Sequence, residues 1–180
     1  METRTALQTY SVDPSHSEVS FEVRHLGFSK VRGRFTDFDG TVRMAPGEPS
    51  SLEAEASIQA ASVATGDEKR DGHLRSDDFF AADQFPALTF KSDGTTDVSG
   101  SDFKLAGDLT IRDTTKRVVL DVTYLGEAKD PWGGSRIAFE AKGKINRTNF
   151  GLVWNQVLEA GGLLVSEEVE LLLEIQAVQQ

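Results

Sequence analysis

Three histidines and no cysteine set narrow limits on the chemistry open to this chain. His16 follows Asp13 by three residues and precedes Glu18 by two. Such a group could hold a metal, yet the spacing matches no strong ligand pattern. The competing reading has His16 and Ser17 bonding the backbone of a turn. His25 closes a row of inward-facing residues, where a polar side chain must find a partner. It is either a satisfied core histidine or a polar stop at the mouth of a channel. His73 stands two residues after Asp71 in a helical segment, and residues two apart on a helix do not face each other. A Ser-His-Asp hydrolase would need Ser76 or another serine brought to His73, with an acid from elsewhere. No serine sits in a nucleophile-elbow motif. Asn146 and Arg147 either lock the long loop that follows them or offer a guanidinium to an anionic head group. The expectation is a protein with no catalytic set, no metal site and no cofactor. The enzyme alternative, a hydrolase, would have to use His73.

Composition narrows the partners. The chain has 180 residues, is 38% hydrophobic and carries a formal charge of −10. That balance argues against nucleic acid and against anionic membrane surfaces, both of which call for basic patches. No run approaches the roughly 18 apolar residues of a spanning helix, so no integral membrane segment is expected. The first eight residues lack the apolar core of a signal peptide. A cytoplasmic location is expected, or a periplasmic one if a leader has been removed. The expected organisation is one domain over residues 1–180, with 1–8 as a loose extension. A homodimer is compatible with the sequence, although no exposed apolar stripe demonstrates one.

The elements that must position these residues are strands. Val19, Phe21, Val23 and His25 alternate with Glu18, Ser20, Glu22 and Arg24, the period of a strand with one buried face. Gly27 breaks the run. Val31, Gly33, Phe35 and Phe38 form its partner, ending at Asp39-Gly40. Six further alternating runs follow, with inward sets Leu52 to Ile58, Leu88 and Phe90, Phe103 to Ile111, Val118 to Tyr124, Ile137 to Ile145, and Val169 to Ile175. Asp93-Gly94 and Ser99-Gly100 read as turns. Thr65-Gly66-Asp67-Glu68 has the form of a capping box, which predicts a short helix over 66–74. Ser76-Asp77-Asp78 reads as a second helix start. About eight antiparallel strands with one small helical insert fit an all-β barrel, since closure removes exposed sheet edges.

The inward list leaves the interior open to two readings. Ala54, Ala56, Ala141, Gly107 and Gly143 stand beside Phe21, Phe35, Phe90, Phe103, Phe139 and Tyr124. Small and large positions could interdigitate into a filled core. Small residues gathered at one level would instead leave room for one ligand, as in lipocalins.

Four stretches resemble the YceI family of lipocalin-like, polyisoprenoid-binding bacterial proteins. They are Asp13-Pro14-Ser15-His16-Ser17 with the first hairpin; Arg70-Asp71-Gly72-His73-Leu74-Arg75-Ser76 with Asp78-Phe79-Phe80, Phe85-Pro86 and Thr89-Phe90; Gly107 to Ile111 running into Thr115-Lys116; and Ile145-Asn146-Arg147 with Phe150-Gly151-Leu152 and Val165 to Val169. One departure is Asp113-Thr114, where the family has a glycine and an apolar residue. Another is that many members are exported, whereas no leader is expected here. The resemblance implies an eight-stranded antiparallel lipocalin-like barrel whose channel binds, carries or stores a polyprenyl chain or isoprenoid quinone non-covalently. The expected ligand contacts are the inward residues Phe21, Val23, His25, Phe35, Ala54, Ala56, Phe90, Phe103, Leu105, Leu120, Val122, Phe139, Ala141, Leu171 and Leu173, with Phe79 and Phe80 from the insert.

Overall fold

The computed structural model describes residues 5–159 and 161–180. Its strands are β1 (Gln8–Val12), β2 (Glu18–His25), β3 (Ser29–Phe35), β4 (Phe38–Ala45), β5 (Glu48–Gln59), β6 (Val63–Ala64), β7 (Ala87–Ser99), β8 (Asp102–Ile111), β9 (Thr114–Lys129), β10 (Ser135–Asn146) and β11 (Glu168–Gln179). Three pairs of these are single strands interrupted by a kink. A 3₁₀ turn at Pro14–His16 divides β1 from β2, Thr36-Asp37 divide β3 from β4, and a 3₁₀ turn at Ala60–Ser62 divides β5 from β6. Eight long strands therefore remain. Each pairs antiparallel with its neighbours, and β1 and β2 lie end to end on one edge of β11, which closes the ring. The result is an eight-stranded antiparallel barrel.

Two positions along the expected strands differ from the reading by alternation. The run from Val31 to Gly40 is bent at Thr36-Asp37, so its first half pairs with β2 and its second with β1 and β5. Asp93-Gly94 is a bulge inside β7 and not a turn, because an extra residue can be absorbed by a bend without ending the ladder. Gln8 already belongs to β1 and Thr5 Oγ1 donates to Glu48, while residues 1–4 of the expected loose extension lie outside the described residues. The turn containing Asp113 is two residues long, with Arg112 at φ 56° and Thr114 already paired with Ile111.

The helix α1 (Glu68–Arg75) begins later than the capping-box reading predicts. Its cap is Asp67, whose carboxylate accepts from the Arg70 amide at 2.9 Å. Thr65 is occupied otherwise, donating from both its amide and its hydroxyl to the buried carboxylate of Asp71. Ser76 ends α1, bonding back to the His73 carbonyl, and residues 77–80 form turns in place of a second helix.

The small inward residues do two different things. A methyl group at Gly107 would lie 2.7 Å from the Phe90 ring, and one at Gly143 would lie 2.7 Å from Leu120. Those glycines are filled over by their neighbours across the ladder. The alanines are not.

Candidate functional site

Ala54, Ala56 and Ala141 face a cavity of about 440 Å³ that runs along the barrel axis. Its wall is built from the inward row of nearly every strand. Phe21, Leu105, Leu120, Phe139 and Leu171, taken from five strands, all line it. The wall is apolar because alternation sends the charged partners of these residues outward.

At one end the barrel is sealed. Tyr10, Met44, Ile137 and Ala177 are almost wholly excluded from water there. Phe103 packs into the same cluster at 3% exposure and does not line the cavity. Outside the seal, Arg136 donates to Asp13 at 2.8 Å and to Asp130 at 3.1 Å. The Arg136 guanidinium, with help from Ser15 and His16, holds the Asp13 carboxyl well below the usual carboxylate range. His16 thus serves an exposed turn, its Nδ1 2.9 Å from Asp13. Ser17 bonds the backbone of Gln176 in β11.

At the other end no strand closes the barrel. The cavity reaches His25, Thr65, Arg70, His73, Trp154, Leu164 and Val165. Helix α1 has little apolar surface to bury, and the residue it buries is Asp71. Polar ties hold it instead. Arg70 donates to the Thr65 hydroxyl and carbonyl, and Arg75 donates to the Ala61 carbonyl. These contacts give the Arg-Asp-Gly-His-Leu-Arg stretch its structural purpose. His73 packs edge-on against Phe79 and Trp154, with centroids 5.1 and 4.6 Å away, and its Nε2 lies 2.8 Å from Asp78. Ser76, the nearest candidate nucleophile in sequence, spends its hydroxyl on a carbonyl.

Arg147 sits below this end, buried and without a carboxylate within salt-bridge distance among the described residues. It donates to the carbonyls of Leu152, Trp154, Val165 and Ser166. One guanidinium therefore ties together both flanks of the long loop between β10 and β11. Burial pushes its pKa down, while the four carbonyl dipoles replace the water it has lost. Of the two roles open to Arg147, the loop lock is the one its bonds serve.

All the expected contact residues line the cavity except Phe103. Phe79 is buried between His73, Trp154 and the Arg147 guanidinium; Phe80 is half-buried against Phe35. His25 stands half-buried where the cavity meets Leu164 and Val165. Sequence reasoning missed Trp154, Leu164 and Val165, which come from a loop without periodicity. The only signal available for them was the apolar character of residues 152–154 and 163–165, each run following a glycine.

A YceI-like domain model matches residues 10–177. The chain belongs to the YceI family. Protein YceI of Escherichia coli is 38% identical over 173 residues, covering 95% of this chain and 87% of the relative. The crystal structure of a Campylobacter jejuni YceI protein superposes with a TM-score of 0.76 at 31% identity, covering 87% of this chain and 90% of that one. A polyisoprenoid binding domain from Saccharophagus degradans shares the fold with a TM-score of 0.67 at 19% identity, over 96% of this chain and 99% of that one. The YceI motifs thus fall where the fold needs them: around α1, at the β8 to β9 turn and at the Arg147 lock.

Proposed function

We propose that the barrel binds and carries a single long isoprenoid chain, a polyprenyl lipid or the tail of an isoprenoid quinone. The observation that supports this reading is the apolar cavity of about 440 Å³, open at one end. Left dry, such a volume would cost on the order of 10 kcal/mol, as much as the whole stability of an ordinary domain. An apolar chain gains about 0.8 kcal/mol for each CH₂ it buries, so affinity needs few polar contacts. The Saccharophagus degradans domain of the same fold is a polyisoprenoid binder by name, which agrees with the wall chemistry seen here. A hydrolase is not favoured: the His73 ring is wedged between aromatics, and Ser76 is turned away from it.

The test is organic extraction of the purified protein followed by mass spectrometry. It is paired with titration of delipidated protein by farnesol-to-octaprenol alcohols. Trp154 lines the cavity and Trp132 is 88% exposed at the sealed end, so a Trp132→Phe variant isolates a reporter at the site. Saturable quenching of Trp154 by the longer alcohols is expected. Absence of both extracted isoprenoid and saturable quenching would sink the carrier reading.

A further inference from the structure

We infer that the mouth of the barrel docks on an anionic lipid bilayer through the tip of the β2–β3 hairpin and the adjoining loop residues 156–159 and 161–164. The inference goes beyond the carrier reading, and its binding test stands without it. Phe28 is 84% exposed and Val157 is 76% exposed; Leu26 stands two residues before Phe28, and Leu163 bridges to Val157. The two loops form one unit. The Leu26 amide donates to the Leu164 carbonyl at 2.9 Å, and His25 bridges to Val165. The same unit is continuous with the cavity, because His25, Leu164 and Val165 line it.

The hairpin tip carries a large apolar residue where the backbone disfavours one. Leu26 and Gly27 have φ 55° and 72°, and the Phe28 amide closes the turn onto the His25 carbonyl. The loop holds three residues, because His25 pairs with Ser29; turn positions at positive φ favour Asn, Asp or Gly, and a bulky residue there is strained. Strain retained in an exposed turn points to a use for the side chain it displays.

Charge decides the occupant. From Val23 to Arg34 the charged residues are Arg24, Lys30, Arg32 and Arg34, with no acid among them, while the adjoining loop carries Glu159; the hairpin is thus a local basic patch on a chain whose net charge of −10 otherwise argues against anionic surfaces. Arg24 faces Lys30 across the ladder. Glu22 pairs with Arg32 and Lys30 from below, and Glu170 stands opposite Glu22 on β11. Towards the tip the cations prevail. An apolar tip flanked by Lys and Arg suits insertion at an anionic headgroup layer. The other strongly exposed aromatic, Trp132, lies at the sealed end beside Asp130 and serves as a control.

The experiment is flotation of the full chain with phosphatidylcholine vesicles and with mixed phosphatidylcholine–phosphatidylglycerol vesicles. Wild type should float with the mixed vesicles and far less with the neutral ones. The Leu26→Ser/Phe28→Ser double variant, which touches no cavity wall, should lose about tenfold or more in partitioning. Arg24→Glu/Lys30→Glu should abolish the preference for the anionic lipid, and Trp132→Ser should float as wild type. Octaprenol quenching of Trp154 in detergent reports the cavity separately, and the hairpin variants should leave it intact. Three results would overturn docking: wild type that does not float, a double variant that floats as well as wild type, or equal loss in the Trp132 control. A dimer dispersed by Leu26→Ser/Phe28→Ser would also overturn it, by assigning the patch to a second copy of the chain.

Discussion

Where β9 turns into β10, Tyr10, Met44, Ile137 and Ala177 are sealed from water; at the opposite end, Phe21, Val23, His25 and Phe80 stand half-covered around a cavity. The same alternating strands run through both ends, so the difference comes from what completes each one. The sealed end is completed by β1, which pairs with β4 on one side and β11 on the other. The open end is completed by a short helix and a loop, held by Asp71, Arg70, Arg75 and Arg147 through side-chain bonds to backbone. A ladder excludes water along its whole length. Point ties hold a lid in place and leave gaps between them. Both halves of the barrel hold a buried cluster, and the gaps that admit a ligand lie where point ties stand in for a ladder.

That contrast is breakable by substitution, and the largest effect should come at Phe79. Its ring belongs to the buried cluster and to the cavity wall at once. Phe79→Ala should cost about 3–5 kcal/mol in urea unfolding. Phe80→Ala, half-exposed beside Phe35, should cost clearly less and reduce retained isoprenoid per folded protein. Equal stability losses with unchanged lipid in both variants would make the pair a structural cap. Ile137→Ala at the sealed end should cost about 2–5 kcal/mol and leave Trp154 quenching by octaprenol unaltered. Altered quenching would show that the two ends are not separate.

A smaller effect is expected at Gly107. An added methyl would lie 2.5 Å from the Lys91 carbonyl, and backbone cannot swing aside. Gly107→Ala should destabilise by about 1–3 kcal/mol through overpacking; a neutral result would mean that the β7–β8 seam is looser than its register suggests.

Acid should also act at the sealed end. The Asp13 pKa is depressed by Arg136, so its contribution is fully present above the ordinary aspartate value of about 3.9. It is lost as pH falls below that value towards the folded-state pKa. Arg136→Met should therefore destabilise the protein at pH 7 and have progressively less effect below pH 4. A penalty that stays constant down to pH 2 would remove the ion pair as its cause. The smallest change is Gly72→Ala on the exposed side of α1, where an added methyl meets nothing within 4 Å. It should stabilise by up to about 1 kcal/mol through helix propensity, measured as a small rise in the thermal midpoint. A fall would show that the lid depends on a flexible helix.

Much of this architecture is legible in alternation alone. The inward sets from Phe21 to Leu173 follow from period-two patterning, because a one-residue slip would expose every one of them. Turn chemistry was less reliable. Asp93-Gly94 has the composition of a turn and is a bulge, and Thr65 has the pattern of a cap and instead holds Asp71. Local composition constrains backbone geometry without saying which long-range partner will use it.

What the sequence determined by itself was the number of long strands, the face each turns inward and the absence of a nucleophile motif, since these depend on neighbours in the chain. Tertiary structure alone decided which small residues become cavity and which are filled over. Gly107 and Gly143 are covered by Phe90 and Leu120 from adjacent strands, whereas Ala54, Ala56 and Ala141 look across the barrel at open space. It also decided that Trp154, Leu164 and Val165 form the mouth, because a loop's position is set by the Arg147 bonds that gather its two flanks and by no periodicity of its own.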